Sequence, residues 1–252
     1  MQAVLYVCHG SRLKEACNQA TTFVQQCIKK MDIPIQEISF LELASPSIAE
    51  GFANCIAKGA TQITVIPVLL LTAAHAKTDI PQELMRLNQE YPHIAVTYGR
   101  PFNVHAAIIP VLLERIQLER VGKDAMILLV GRGSRDPDVK HDLEQIACLL
   151  QESGPFQRVE TCYLAACSPT FEEGLERAAA RGHRQVFVVP YLLFTGLLIK
   201  GMERMIHQLK NDAFILCPYL GYHPNLQKIL AERVEEAIRS ANYVSYFSTH
   251  TR

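Results

Sequence analysis

A chain of 252 residues, 49% of them hydrophobic and 20% charged, carries enough apolar material for one large core or two ordinary ones, which excludes intrinsic disorder. Its 25 basic and 25 acidic side chains cancel to a formal net charge of zero, which excludes a polycation built for nucleic acid and leaves any acidic ligand to local basic residues. The eight cysteines include no C-x-x-C pair and read as reduced thiols, no apolar run approaches the roughly 18 residues that span a membrane, and no signal-peptide pattern opens the chain, so a soluble cytoplasmic protein is expected.

Short β-rich runs alternate with amphipathic helical stretches, the order that yields a parallel sheet covered by helices. Residues 3–8 read as the first strand and 12–30 as the first helix. Residues 36–43 form the second strand, followed by Ser45 as helix N-cap and Pro46 at the first helical position. The nearly unbroken apolar run 63–71 suits a central strand buried on both faces. Residues 96–98 close the sheet, 103–118 complete its helical layer, and 118–124, containing Gly122, form a linker. The same order restarts at 125–130, with strands at 159–164, 186–193 and near 214–219, and a last helix over 224–240. Ser168-Pro169 repeats the expected cap, with Glu172 and Glu173 adding negative charge to the first turn. The polar, aperiodic stretch 241–252 is expected to be flexible.

This recurrence is a gapless internal repeat at an offset of 123 residues. Cys8-His9-Gly10-Ser11-Arg12 meets Gly131-Arg132-Gly133-Ser134-Arg135, Ser45-Pro46 meets Ser168-Pro169, and Val65-Ile66-Pro67 meets Val188-Val189-Pro190. Two similar α/β domains with doubly wound parallel sheets follow, one over 1–120 and the other over 121–252. Turn and core positions match between the copies, whereas His9, Glu42 and His75 face Arg132, Ala165 and Leu198. One copy therefore holds a polar site from which the other has been released.

His9, Glu42 and His75 each fall at or just beyond the C-terminal end of a predicted strand. In an open parallel sheet those ends share one edge, the usual place of a ligand crevice. Two imidazoles and a carboxylate suit a divalent transition metal with open coordination positions, and a neutral imidazole can also accept a proton. His93, His105, His141, His183, His207, His223 and His250 lack that context and read as surface or capping residues. Gly10-Ser11 and Gly133-Ser134 could cradle an anion on backbone amides, but a glycine that permits a tight turn is the simpler role. No G-x-G-x-x-G fingerprint supports a nucleotide site.

At these residues the chain resembles the class II tetrapyrrole chelatases in their two-domain form. The resemblance covers nearly the whole chain. It is carried by Tyr6-Val7-Cys8-His9-Gly10-Ser11-Arg12, by Ile38-Ser39-Phe40-Leu41-Glu42-Leu43, by the run from Val65 through His75 to Lys77, and by Val130-Gly131-Arg132-Gly133-Ser134-Arg135 with the later Val189-Pro190-Tyr191-Leu192-Leu193. It implies two domains facing each other across a cleft that holds the macrocycle, with Fe²⁺ inserted into sirohydrochlorin to give siroheme. Carried over, His9, Glu42 and His75 are metal ligands, and His9 and His75 are catalytic, His9 as proton acceptor. Leu69, Leu70, Leu71, Thr72, Ala73 and Ala74 would line the macrocycle pocket.

The metal enters that reaction as a substrate, and no prosthetic group is implied. Arg12, Lys77, Arg100, Arg132, Arg135 and Lys200 could meet the macrocycle's carboxylates, Arg132 above all because it occupies the position of His9. The long cobalt-specific forms can carry a histidine-rich tract and a C-terminal cysteine motif; neither is present, which favours iron. Cobalt insertion for cobalamin synthesis, and a non-catalytic carrier of tetrapyrrole or metal, are the alternatives. Neither nucleic acid nor membrane is an expected partner, and the internal duplication makes a monomer the expected state.

Overall fold

The computed structural model describes residues 1–122 and 124–240; the stretch 241–252, expected to be flexible, and His250 within it lie outside the described residues. Strands β1 (Gln2–Cys8), β2 (Ile35–Phe40), β3 (Gln62–Val68) and β4 (Ala95–Tyr98) form an all-parallel sheet in the order β2-β1-β3-β4. The two central strands are also the most continuously apolar, because helices cover both faces of the sheet. Alternate residues divide between those faces. Leu5, Val7, Ile63 and Val65 pack with Phe52 and Cys55 of α2 (Ile48–Ala57) and Leu84 and Leu87 of α3 (Ile80–Glu90). Helix α1 (Lys14–Ile28) buries Phe23, Val24 and Cys27.

The second sheet repeats this plan. Its strands β5 (Ala125–Gly131), β6 (Arg158–Tyr163), β7 (Gln185–Pro190) and β8 (Phe214–Leu216) run parallel in the order β6-β5-β7-β8. Helix α4 (Ile108–Ile116) precedes them, and α5 (Pro137–Ser153), α6 (Phe171–Arg181) and α7 (Leu197–Leu209) alternate with them. Phe171 and Leu175 of α6 and Ile199 and Met202 of α7 pack with Leu128, Val130, Val186 and Val188 on one face. The last helix is α8 (Pro224–Arg239). No helix among the described residues is long and apolar enough to cross a membrane.

The compact units do not coincide with the two repeats. Among the described residues, one compact unit comprises 1–103 with 227–240, and the other comprises Val104–Leu226. Helix α4, expected to finish the first helical layer, belongs to the second unit, and most of α8 belongs to the first. Two arginines explain the exchange. Arg233 of α8 is 3% exposed; its Nε donates to the Pro101 carbonyl at 3.0 Å and its Nη2 to the Phe102 carbonyl at 2.8 Å. Its Nη1 meets Glu236 at 2.9 Å, and Glu236 also holds Arg100. In the second unit Arg115 of α4 donates to the carbonyls of Tyr219 at 3.0 Å and Leu220 at 2.8 Å. Each helix thus satisfies buried carbonyls in the loop after the other repeat's last strand. His105 and His223 are capping residues here, their Nδ1 atoms accepting from the N–H groups of Ala107 at 3.1 Å and Asn225 at 3.0 Å.

Two helix starts also differ from expectation. Ser47, not Ser45, caps α2: its hydroxyl accepts from Glu50 N–H while the Glu50 carboxylate accepts from Ser47 N–H, and Thr170 does the same with Glu173 at α6. This reciprocal box satisfies two N-terminal donors, which a Ser-Pro start cannot do. Ser45-Pro46 and Ser168-Pro169 precede the helices as cis peptides. Strand β2 ends at Phe40, so Glu42 stands beyond it in a loop.

Replacing Arg233 by leucine should leave the carbonyls of Pro101 and Phe102 buried without a donor. A loss of about 1–3 kcal/mol is expected for such orphaned groups, read from the urea unfolding midpoint, and Arg115→Leu should produce a comparable loss.

Candidate metal centre

Three neighbouring strands deliver the three polar residues. His9 follows β1, Glu42 follows β2 two residues past its end, and His75 follows β3 after the turn 69–74. Because β2, β1 and β3 are adjacent, the ligand atoms of His9, Glu42 and His75 all lie within 4.8 Å of one another. The imidazole rings stand at 90° with centroids 4.9 Å apart. The side chains of His9, Glu42 and His75 are 29%, 44% and 28% exposed, so the cluster opens to solvent.

Backbone geometry fixes the first two residues relative to each other. Leu41 N–H donates to the Cys8 carbonyl at 2.8 Å and Glu42 N–H to the His9 carbonyl at 3.1 Å, extending the β1–β2 ladder past the end of β2. Gly10 adopts φ +90°, and a Cβ there would stand 1.7 Å from the Glu42 carbonyl oxygen. Glycine is therefore needed for close approach as well as for the turn. The second copy keeps this geometry without ligands: Gly133 has φ +86°, and a Cβ there would lie 1.9 Å from the Ala165 oxygen.

The two histidines are oriented by acceptors. The Nδ1 of His9 lies 3.2 Å from the Gly10 carbonyl and 3.6 Å from Glu42 Oε1. The Nδ1 of His75 lies 2.6 Å from Asp79 Oδ2. The Gly10 carbonyl and the Asp79 carboxylate are acceptors, which favours the tautomers with hydrogen on Nδ1 and a lone pair on Nε2 that can bind a metal or take a proton. His75 and Asp79 are the two ends of a five-residue π-helix that leads into α3, and Tyr98 Oη donates to the Ala76 carbonyl inside it at 2.9 Å. The corresponding α7 starts as an ordinary helix at Leu197. Asp79 was invisible to motif reading, although its spacing of four from His75 is the signal that could have revealed it.

The remaining site expectations fare differently. Leu69 to Ala73 are half-buried and Ala74 is exposed, with the carbonyls of Leu69 and Leu70 accepting from Phe102 and Asn103 N–H at 3.0 and 2.8 Å. Thr72 Oγ1 donates to Asn103 Oδ1 at 2.8 Å. Arg132 is exposed and lies in the second unit. Arg100 is held by Glu236 at 2.9 and 3.0 Å, so it ties α8 to the first unit and leaves the set of carboxylate binders. Cys8, next to His9, is buried, and desolvation pushes its thiol up to about 12, which makes it a packing residue and not a thiolate ligand.

The chain is also similar to known proteins over most of its length. The CbiX family profile matches residues 3–119 and 126–237. The chain is 54% identical over 244 residues to a sirohydrochlorin ferrochelatase of Priestia megaterium, covering 95% of this chain and 92% of the relative. It is 40% identical to a sirohydrochlorin cobaltochelatase of the same organism, covering 94% and 80%. A solved structure, SirB from Bacillus subtilis with Fe³⁺, superposes with a TM-score of 0.86 at 43% identity, covering 97% of each chain.

Removing the Asp79 carboxylate should loosen the His75 ring without removing the ring itself. Asp79→Ala is expected to weaken Co²⁺ binding by about 10–100-fold, measured by titration, and Asp79→Asn to recover part of the loss because its amide oxygen still accepts from Nδ1.

Proposed function

The chain belongs to the CbiX family, and from that premise we propose that it is a sirohydrochlorin ferrochelatase, which places Fe²⁺ in the macrocycle and releases two protons. The observation that carries this reading is the His9, Glu42 and His75 cluster, within 4.8 Å, in a chain so similar to a ferrochelatase over nearly its full length. Iron is the cargo of the reaction. A ligand set of two imidazoles and a carboxylate accepts divalent iron and leaves coordination positions open for incoming pyrrole nitrogens.

The reaction needs a metal delivered to one face of the ring and a base for the two inner N–H protons. Fe²⁺ first binds the Nε2 atoms of His9 and His75 and a carboxylate oxygen of Glu42. The macrocycle, bent so that its nitrogen lone pairs face the ion, then displaces the protein ligands one after another. Each ring N–Fe bond that replaces an N–H releases a proton; His9 Nε2, vacated by the metal, accepts one, and solvent water at the exposed cluster takes the other. Contacts to the ring and its carboxylates offset the bending strain. Arg12 and Lys77, exposed in the unit that carries the cluster, are the cations proposed to meet those carboxylates, while Arg132 is exposed in the second unit at the position equivalent to His9. The run Leu69, Leu70, Leu71, Thr72, Ala73 and Ala74 lines the macrocycle pocket beside His75.

Cobalt insertion is the second reading, favoured by the 40% identity to a cobaltochelatase and by a donor set that accepts either ion. A single chain carrying both repeats acts as a monomer in the cytoplasm.

Anaerobic insertion of Fe²⁺ and, separately, Co²⁺ into sirohydrochlorin, followed by absorbance, tests the assignment. The wild-type protein should accelerate insertion with Fe²⁺ preferred, and His9→Ala and His75→Ala should each lower the rate by about 10²-fold or more. Full activity in both variants would overturn the ligand assignment, and absence of acceleration with either metal would leave a carrier.

A further inference from the structure

Leu43, the residue after Glu42, combines two unfavourable features. Its side chain is 54% exposed, and its backbone sits in the left-handed region at φ 60°. Left-handed backbone is disfavoured for side chains bearing a Cβ, and a bulky leucine is among the least suited to it. Other non-glycine residues with positive φ have ordinary reasons. Asn103 is a type that tolerates it, and Gln117 and Lys210 are the C-caps of α4 and α7.

The second copy separates the backbone from the side chain. Its equivalent residue, Ala166, has φ 63°, so the twist belongs to the turn in both copies. What differs is the leucine, found only where the metal ligands are. Single exposed leucines are common, but one held in a disfavoured conformation beside a ligand cluster gains nothing for the isolated fold.

We propose that Leu43 is a macrocycle-contacting residue that packs on the face of the tetrapyrrole and seats it over the metal. This rests on the chelatase reading. A tetrapyrrole is several times wider than the ion at its centre, so a ring seated over His9, Glu42 and His75 also covers the residues flanking them. The backbone bond from Glu42 N–H to the His9 carbonyl and the close approach at Gly10 fix Leu43 relative to the ligands. An apolar side chain fits the π-face of the ring, whereas the ring's carboxylates call for the cationic residues named above.

The test uses the full chain with Leu43→Ala and Leu43→Gly. Both should raise KM for sirohydrochlorin about ten-fold, the scale of one buried leucine lost, and leave Co²⁺ titration of the metal site within two-fold of wild type. Leu43→Gly should also raise the Tm, because glycine takes the left-handed backbone without penalty. An unchanged KM, a metal affinity that falls in step with KM, or a lowered Tm in Leu43→Gly would overturn the proposal. If the wild-type protein inserts no metal, the chelatase reading has failed. Binding of sirohydrochlorin to the metal-free proteins, read from its absorbance, then decides the role of Leu43 in the same way: a weaker Kd in both variants supports it, and equal Kd values reject it.

Discussion

The candidate site depends on the backbone contact between the turn after β1 and the loop after β2. Glu42 N–H reaches the His9 carbonyl at 3.1 Å, and Gly10 lets the two segments close until no side chain could fit between them. His9 is thereby held to a carboxylate that lies 33 residues away in sequence. His75 joins from β3, on the other side of β1, so the parallel order β2-β1-β3 brings together residues spread over about a quarter of the chain. A shallow, half-exposed cluster assembled from loops would drift if those loops were mobile. Extension of the strand ladder past Phe40, the π-helix at His75 and the Tyr98 bond to Ala76 hold it in place.

Duplication gives a control inside the molecule. The second copy keeps the glycine turn, the bond from Leu164 N–H to the Gly131 carbonyl, and the left-handed residue after the lost carboxylate, while Arg132, Ala165 and Leu198 replace the ligands. Scaffold features common to both copies therefore belong to the fold. Features confined to the first copy belong to its chemistry. By that criterion Gly10 is structural, whereas the π-helix with Asp79 and the side chain of Leu43 are specific to the ligand-bearing copy. The same logic bears on the exchanged helices: Arg115 and Arg233 make matching bonds, each to two carbonyls in the loop after the other repeat's last strand.

Local chemistry determines how much of this was legible in the sequence. The central strands were visible because burial on both faces requires unbroken apolar runs such as 63–68. The candidate ligands stood out because a repeat exposes its own asymmetries. Helix exchange was not visible: α4 has an apolar stripe that would suit either sheet, and long-range bonds, among them those of Arg115 to Tyr219 and Leu220 and of Glu114 to His223, place it on the second. Ser45-Pro46 suggested a helix start, but the deciding pair, Ser47 and Glu50, lay two residues on and required the reciprocal bonds of a capping box to be weighed against a proline. Asp79 escaped because a carboxylate four residues from a histidine is common on helices and gains meaning only once the histidine is known to face other ligands.

Exposure of the ligands bears on why such a site would serve insertion and not retention. A resident metal is best held by buried ligands whose desolvation makes each bond hard to exchange, and by a complete coordination shell. Here a carboxylate 44% exposed stands beside two imidazoles less than one-third exposed, and three protein donors leave several positions for water or an incoming ring nitrogen. Water can enter as each protein bond breaks, so the ion need never be left bare during transfer. Neutral imidazole nitrogens also leave without carrying away charge, and the lone pair exposed when the metal departs is the one able to take a macrocycle proton. On the proposed ligand assignment, ready release, stepwise exchange and proton acceptance would all rest on one arrangement. Burying the same three residues more deeply would favour a tighter site at the expense of the transfer.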